Sequence, residues 1–220
     1  MPLETIFGPD GRTVIVALDH GLIDGPIAGL VDPAEIIARV KSGGADAVLI
    51  SYGVARRFDK DLEDVGRIVR VDGSVPGSLY LTAERAHAAG ADAIAVSIPP
   101  LDVLARAVDQ AHAIDLPVLA EIGQRHDAGL IAAYARMAAE WGADVIKAPY
   151  CEDFARVTRS AFVPVVILGG ARKESDEEVL EQVRSSINAG GAGVAMGRNV
   201  FQADDPVAMT AALVAIVHSV

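Results

Sequence analysis

Four glycines recur at near-constant spacing along the chain, each closing a helix-like stretch and opening a short apolar run. They stand in Gly44-Ala45-Asp46-Ala47, Gly90-Ala91-Asp92-Ala93, Gly142-Ala143-Asp144-Val145 and Gly191-Ala192-Gly193-Val194, at intervals of 46, 52 and 49 residues. Each interval has room for two strand–helix units, so the repeat predicts eight units in all. The glycine supplies the left-handed conformation that ends a helix, and its small neighbour lets the chain turn tightly into a strand.

The local pattern agrees. Eight β-branched runs are predicted as strands: Val14 to Leu18, Ala47 to Ile50, Ile68 to Val71, Ala93 to Ser97, Val118 to Ile122, Val145 to Ala148, Val165 to Leu168 and Val194 to Met196. Amphipathic stretches separate them, including Pro33 to Lys41, Asp102 to Ala113, Leu130 to Trp141, Asp176 to Ala189 and Pro206 to His218. Asp32-Pro33 and Asp205-Pro206 read as an N-cap followed by proline, and Ser175-Asp176-Glu177-Glu178 as a capping box. The third unit has a loop-like stretch, Asp72-Gly73-Ser74-Val75-Pro76-Gly77, and room for only a short helix. Strict strand–helix alternation implies a parallel sheet, and eight units favour closure over an open sheet. The predicted fold is a (β/α)8 TIM barrel spanning residues 1–220 as one domain.

Composition narrows the partners. The net charge of −11 disfavours nucleic acid and anionic membranes as partners, since both require basic surface. A single cysteine, Cys151, excludes an intrachain disulfide and a cysteine-based metal cluster. No basic-then-apolar leader opens the chain, and no apolar run approaches a membrane span, so a cytoplasmic enzyme is expected.

A barrel carries its chemistry at the C-terminal ends of its strands. Lys147 is the sharpest signal there. Of the four lysines, Lys41, Lys60 and Lys173 fall in polar contexts, whereas Lys147 lies inside Val145-Ile146-Lys147-Ala148. Burying an ammonium is costly unless it is paired or deprotonated, and a desolvated amine is a nucleophile. An ion pair with Asp19 or Glu121 is the alternative reading of the same position. Asp19 ends the first run and suits a proton donor or acceptor, or a partner for Lys147. Glu121, near the end of the fifth, suits a second acid or base, or a salt bridge to Lys147 or Arg198. His20 suits a substrate contact, although it would face outward if the first strand continued that far.

Gly169-Gly170-Ala171 and Gly197-Arg198-Asn199 end the seventh and eighth runs. They bring bare N–H groups and one cation to the place where barrels commonly hold phosphate. Tight turns alone would also explain the glycines. Ser51, Asp72 and Ser97 are candidate hydrogen-bonding groups for hydroxyls. His87, His112, His126 and His218 lack metal-ligand spacing, so no metal is expected. Phe154, Trp141 and Phe201 read as packing residues. No dinucleotide fingerprint, Walker loop or nucleophile elbow is present, and no cofactor is expected. A buried amine beside a carboxylate and a phosphate cradle selects imine chemistry on a small phosphorylated ketone.

Several segments resemble the archaeal-type class I fructose-bisphosphate aldolase family. That family also contains aminodeoxyheptulosonate synthases and the phosphorylated autoinducer-2 thiolase. The segments are Val14-Ile15-Val16-Ala17-Leu18-Asp19-His20-Gly21, Gly142-Ala143-Asp144-Val145-Ile146-Lys147, Tyr150-Cys151-Glu152-Asp153-Phe154, Gly169-Gly170 and Gly193-Val194-Ala195-Met196-Gly197-Arg198-Asn199-Val200-Phe201-Gln202. The likeness covers most of the chain and is strongest from Trp141 to His218. It implies a Schiff-base lysine at Lys147, an acid/base at Asp19, phosphate binding by Gly169, Gly170, Gly197 and Arg198, and a homo-oligomer. Aldolase members carry a tyrosine proton donor just after the fifth strand, where this chain has Glu121-Ile122-Gly123-Gln124. The thiolase branch also lacks that tyrosine. The resemblance therefore leaves three functions standing: aldol cleavage or formation, acyl transfer from a phosphorylated diketone to coenzyme A, and phosphometabolite binding without catalysis. The chain is also shorter than typical members, and its trimmed second and third units leave the substrate open.

Overall fold

In the computed structural model, which describes residues 3–73, 78–123 and 127–219, eight parallel strands close into a barrel in sequence order. The strands are β1 (Thr13–Ala17), β2 (Ala47–Ile50), β3 (Gly66–Arg70), β4 (Ala93–Ile98), β5 (Val118–Ile122), β6 (Val145–Pro149), β7 (Val165–Leu168) and β8 (Gly193–Met196). Closure is made by β8 on β1, with Val14 paired to Val194 and Val16 to Met196. Between and after the strands run α1 (Gly21–Asp24), α2 (Pro33–Ser42), α3 (Tyr52–Arg57), α4 (Ala83–His87), α5 (Leu101–His112), α6 (Ala128–Glu140), α7 (Phe154–Ser160), α8 (Asp176–Asn188), α9 (Arg198–Phe201) and α10 (Pro206–Val217). The predicted loop over 74–77, together with Gln124 and His126, lies outside the described residues. Among the described residues no helix is long and apolar enough to cross a membrane.

Local chemistry sets the boundaries. Asp32 and Asp205 accept hydrogen bonds from the first N–H groups of α2 and α10, and Ser175 accepts from Glu178 at the start of α8. Each such cap is worth about 1 kcal/mol. The short helix expected in the third unit is α4, with five residues. Phe154 and Phe201 are buried as expected. Trp141 is not: it follows α6 and stays 47% exposed.

The glycine repeat needs one correction. Gly44, Gly90 and Gly142 have positive φ, but the fourth left-handed residue is Gly190, not Gly191. The hydrogen bonds show the true frame. Gly191 N–H donates back to Ser186, just as Ala45 donates to Val40, Ala91 to Ala86 and Ala143 to Ala138. The repeat is therefore Gly-Ala-Asp three times and Gly190-Gly191-Ala192 once. The aspartates have a use of their own. Asp46, Asp92 and Asp144 each accept from a backbone N–H near the start of the preceding strand, at Val14, Arg67 and Val118, over 2.6, 2.8 and 2.9 Å. These carboxylates pin the N-terminal ends of neighbouring strands together. The N-terminal segment plugs that same end, with Ile6 and Phe7 packed into the barrel interior and Thr13 Oγ1 donating to Ile6 O.

Side chains alternate between two environments, as a pleated strand requires. Val14 and Val16 pack outward under the helices, while Ile15 and Ala17 fill the interior with Leu49, Ile68, Ala95, Leu119, Val145 and Val166. Extending that parity toward the C-terminal ends puts Arg70, Ser97, Glu121 and Lys147 on the interior face.

Candidate active site

The upper interior of the barrel is lined by charge. Lys147 on β6 is 5% exposed and sits in register with Glu121 on β5. Its Nζ donates to Glu121 Oε2 at 3.0 Å, so the ion pair weighed from the sequence is formed. The amine nevertheless faces the lumen, and it lines a cavity of about 180 Å3 at the C-terminal ends of the strands.

The hub of the cluster is a residue that sequence reasoning missed. Arg70 on β3 is 8% exposed, and its guanidinium reaches four side chains. Nε donates to Asp19 and Nη2 to Glu121, while Nη1 donates to Asp72 at 3.2 Å and to Ser97 Oγ at 3.0 Å. Ser97 N–H in turn donates to Asp72 at 3.1 Å. Asp72 and Ser97, expected to meet substrate hydroxyls, thus already hold the arginine. Burial opposes ionisation of Glu121, but the adjacent charges of Lys147 and Arg70 outweigh it and hold its pKa at about 2. Such a carboxylate is a weak base at neutral pH. Glu121 therefore fits a fixed negative charge beside the amine better than the second acid or base expected from the sequence. The three carboxylates around Arg70 hold the guanidinium protonated against its burial.

The other wall of the cavity is the glycine-rich one. Gly169 and Gly170 follow β7, Gly197 follows β8, and Arg198 begins α9; all four line the same cavity as Lys147, Asp19 and Glu121. Arg198 Nε is buried and has no hydrogen-bond partner. Asn199, fully buried, donates to Gly169 O at 2.9 Å and Ala171 O at 3.1 Å, and it accepts from Lys173 N–H at 2.8 Å. This one side chain ties the two glycine turns together. A side chain at Gly197 has no room: a Cβ there would lie 2.3 Å from His20 Cε1 and 2.7 Å from Ala17 O.

His20 turns into the cavity because β1 ends at Ala17, three residues before it. Its ring packs edge-on against Phe201 at 5.2 Å, and its Nδ1 lies 3.7 Å from Asp19 Oδ1. Burial lowers the imidazole pKa, with Lys147 and Arg198 adding to the effect and Asp19 opposing it. Ser51 is elsewhere. Its hydroxyl accepts from Val54 N–H as the cap of α3, and it lines a smaller, separate cavity beside α2. Among the described residues no group of three or more His, Cys, Asp or Glu side chains is arranged to hold a metal.

A family model described as DeoC/LacD family aldolase matches residues 13–203. The chain belongs to that family. This aldolase is 39% identical to the 2-amino-3,7-dideoxy-D-threo-hept-6-ulosonate synthase of Halobacterium salinarum, over 95% of its own length and 88% of the relative's. It is 34% identical to the synthase 1 of the same name from Archaeoglobus fulgidus, over 95% and 87%. Among solved structures it superposes on a Schiff-base-forming fructose-1,6-bisphosphate aldolase with a TM-score of 0.89 and 29% identity, covering 98% of both chains. An archaeal fructose 1,6-bisphosphate aldolase gives a TM-score of 0.87 at 29% identity, covering 99% and 98%. The family aldolase is a carbon–carbon lyase of class I, the class that works through a lysine Schiff base.

Proposed function

We propose that Lys147 is the Schiff-base lysine and that its partner is a small phosphorylated ketose. The amine adds to the ketone carbon, and loss of water leaves a protonated imine. That cation is an electron sink: the electron pair of the adjacent carbon–carbon bond moves toward nitrogen, releasing an aldehyde and leaving an enamine. Protonation of the enamine carbon and hydrolysis return the ketone and the free amine. The reverse sequence joins the two fragments. Glu121, ionised and 3.0 Å from Nζ, stabilises the cationic imine. Gly169, Gly170, Gly197 and Arg198 grip the phosphate, so binding energy from the non-reacting end positions the carbonyl.

The observation that carries this reading is a lumen-facing amine sharing one cavity with an unpartnered arginine nitrogen and two glycine turns. The solved relatives act on fructose 1,6-bisphosphate, which supports a phosphorylated ketose as the substrate class. The test is borohydride trapping with a panel of phosphorylated ketones, followed by mass spectrometry of the peptides. A stable adduct on Lys147, and none in Lys147→Ala with its fold retained, is expected. Ligand binding unaltered by Lys147→Ala with no adduct in the wild type would mark a non-catalytic barrel. Product that forms only with coenzyme A would mark an acyl transferase.

A further inference from the structure

We infer that His20 is the proton-transfer residue of this aldolase, taking up and returning through Nε2 the proton that the bond-breaking step displaces, with Asp19 orienting its ring. The inference rests on the Schiff-base reading above and supplies what that reading leaves open. Aldol chemistry needs a group that accepts a proton from the substrate hydroxyl and later gives one to the enamine carbon. No tyrosine stands at the end of β5, where the chain reads Ile122-Gly123-Gln124.

The charged groups beside the amine are already paired. Both cations on the reacting side are bound: Lys147 to Glu121, and Arg70 to Asp19, Asp72 and Glu121. Glu121 at a pKa of about 2 retains no proton to donate near neutrality. Asp19 has one oxygen, Oδ2, occupied by Arg70 Nε. Its other oxygen, Oδ1, is the atom that faces His20 Nδ1 across 3.7 Å.

His20, in contrast, keeps an unpartnered ring nitrogen. Its Nδ1 is buried and has no hydrogen-bond partner, an arrangement that leaves a cost unless a small closure brings Asp19 Oδ1 into reach. That closure would fix the proton on Nδ1 and leave Nε2 as the acceptor, the same logic by which a carboxylate sets the tautomer of a catalytic histidine. The ring is held on its edge by Phe201 and stands against Gly197, between the phosphate grip and Asp19. His20 lines the same cavity as Arg198 and Lys147, both near enough to act on its charge. Asp19 and Asp24 face it as negative charges, Lys147 and Arg198 as positive ones, and burial together with those two cations keeps it neutral near pH 7. In cleavage, the substrate hydroxyl gives its proton to Nε2, the hydroxyl oxygen becomes the aldehyde carbonyl, and the broken bond's electron pair forms the enamine. The imidazolium then returns that proton to the enamine carbon, regenerating the cationic imine for hydrolysis.

The experiment compares wild type, His20→Gln and His20→Asn with dihydroxyacetone phosphate as the probe. Borohydride trapping reads imine formation at Lys147. Exchange of the hydrogen next to the carbonyl in deuterated water, followed by NMR, reads proton transfer. Both variants should still form the adduct, which shows a folded cavity, while exchange falls by about 10²- to 10⁴-fold. Wild-type exchange should also lose rate as pH drops below the ordinary histidine value of about 6.5, and both variants should lack that limb. Exchange at the wild-type rate in a variant that forms adduct overturns the proposal. So does a wild-type pH profile with no acid limb, a result that needs no variant at all. An adduct absent from the wild type removes the Schiff-base reading, and the proposal with it.

Discussion

Replacing Arg70 by methionine removes the charge that three carboxylates share. Among the described residues, Asp19 and Asp72 are then left without an Arg or Lys partner, and Glu121 keeps only Lys147. A carboxyl held at about 2 in place of its ordinary 4.5 contributes about 3 kcal/mol of stability at neutral pH. Lys147 supplies the larger part of that and persists in the variant. Breaking a buried ion cluster by deleting one partner costs about 3–5 kcal/mol. For a domain of this length, that corresponds to a fall of roughly 6–20 °C in Tm, at about 2–4 °C per kcal/mol. The pH dependence is the sharper test. In the wild type, Glu121 stabilises the fold above its unfolded value near 4.5, and this contribution is lost as pH falls through 2. In Arg70→Met, Glu121 loses one of the two cations that lower its pKa and binds a proton at higher pH than in the wild type. The difference between variant and wild type should therefore shrink from pH 7 to pH 4. Urea unfolding followed by circular dichroism at both values measures it. A variant within about 1 kcal/mol of wild type at pH 7, or one destabilised equally at both, would refute the reasoning.

Arg198→Ala should raise KM for a phosphorylated substrate by roughly 10- to 100-fold, the worth of one charged hydrogen bond, with kcat little changed; steady-state kinetics that leave KM untouched would remove Arg198 from the phosphate grip. His218 bridges Asp10 and Asp46 at 2.8 and 3.0 Å, and although burial opposes its charge, those hydrogen bonds raise its pKa. Its stabilisation is fully present below about 6.5 and fades as pH rises through the raised folded value. His218→Gln should therefore cost more Tm at pH 6 than at pH 9, as differential scanning fluorimetry would show.

The barrel was legible because its signals are local and repeated. Strand runs, caps and glycine turns each report on a few neighbouring residues, and the strands match to within two residues at each end. Lys147, Asp19, Gly169, Gly170, Gly197 and Arg198 were legible for a related reason: they sit at strand ends, where a barrel's site must lie. Arg70 escaped because the predicted third strand ran one residue further, to Val71, so its end was sought beyond the arginine that in fact closes it. Its signal was nonetheless present, a charge two residues after Ile68 and so on the same interior face. Ser51 shows the limit of that parity argument. It follows Leu49 by two residues, but helix capping at α3 claims its hydroxyl. The off-by-one glycine arose because Gly190-Gly191 offers two candidates for one left-handed position, and only the hydrogen bond to Ser186 distinguishes them. Glu121 was found at the right place with two tasks left open, and the structure forms the salt bridge to Lys147 while adding Arg70, a neighbour distant in sequence.

The carboxylates of Asp46, Asp92 and Asp144 hold the end of the molecule opposite the chemistry. Structural integrity and catalytic invention are thereby assigned to separate ends of each strand. Segments at the catalytic mouth can be grafted, lengthened or redrawn to admit a different aldehyde while the stapled floor keeps three strand pairs in register. For anyone recasting this scaffold, those three aspartates are the positions to leave alone.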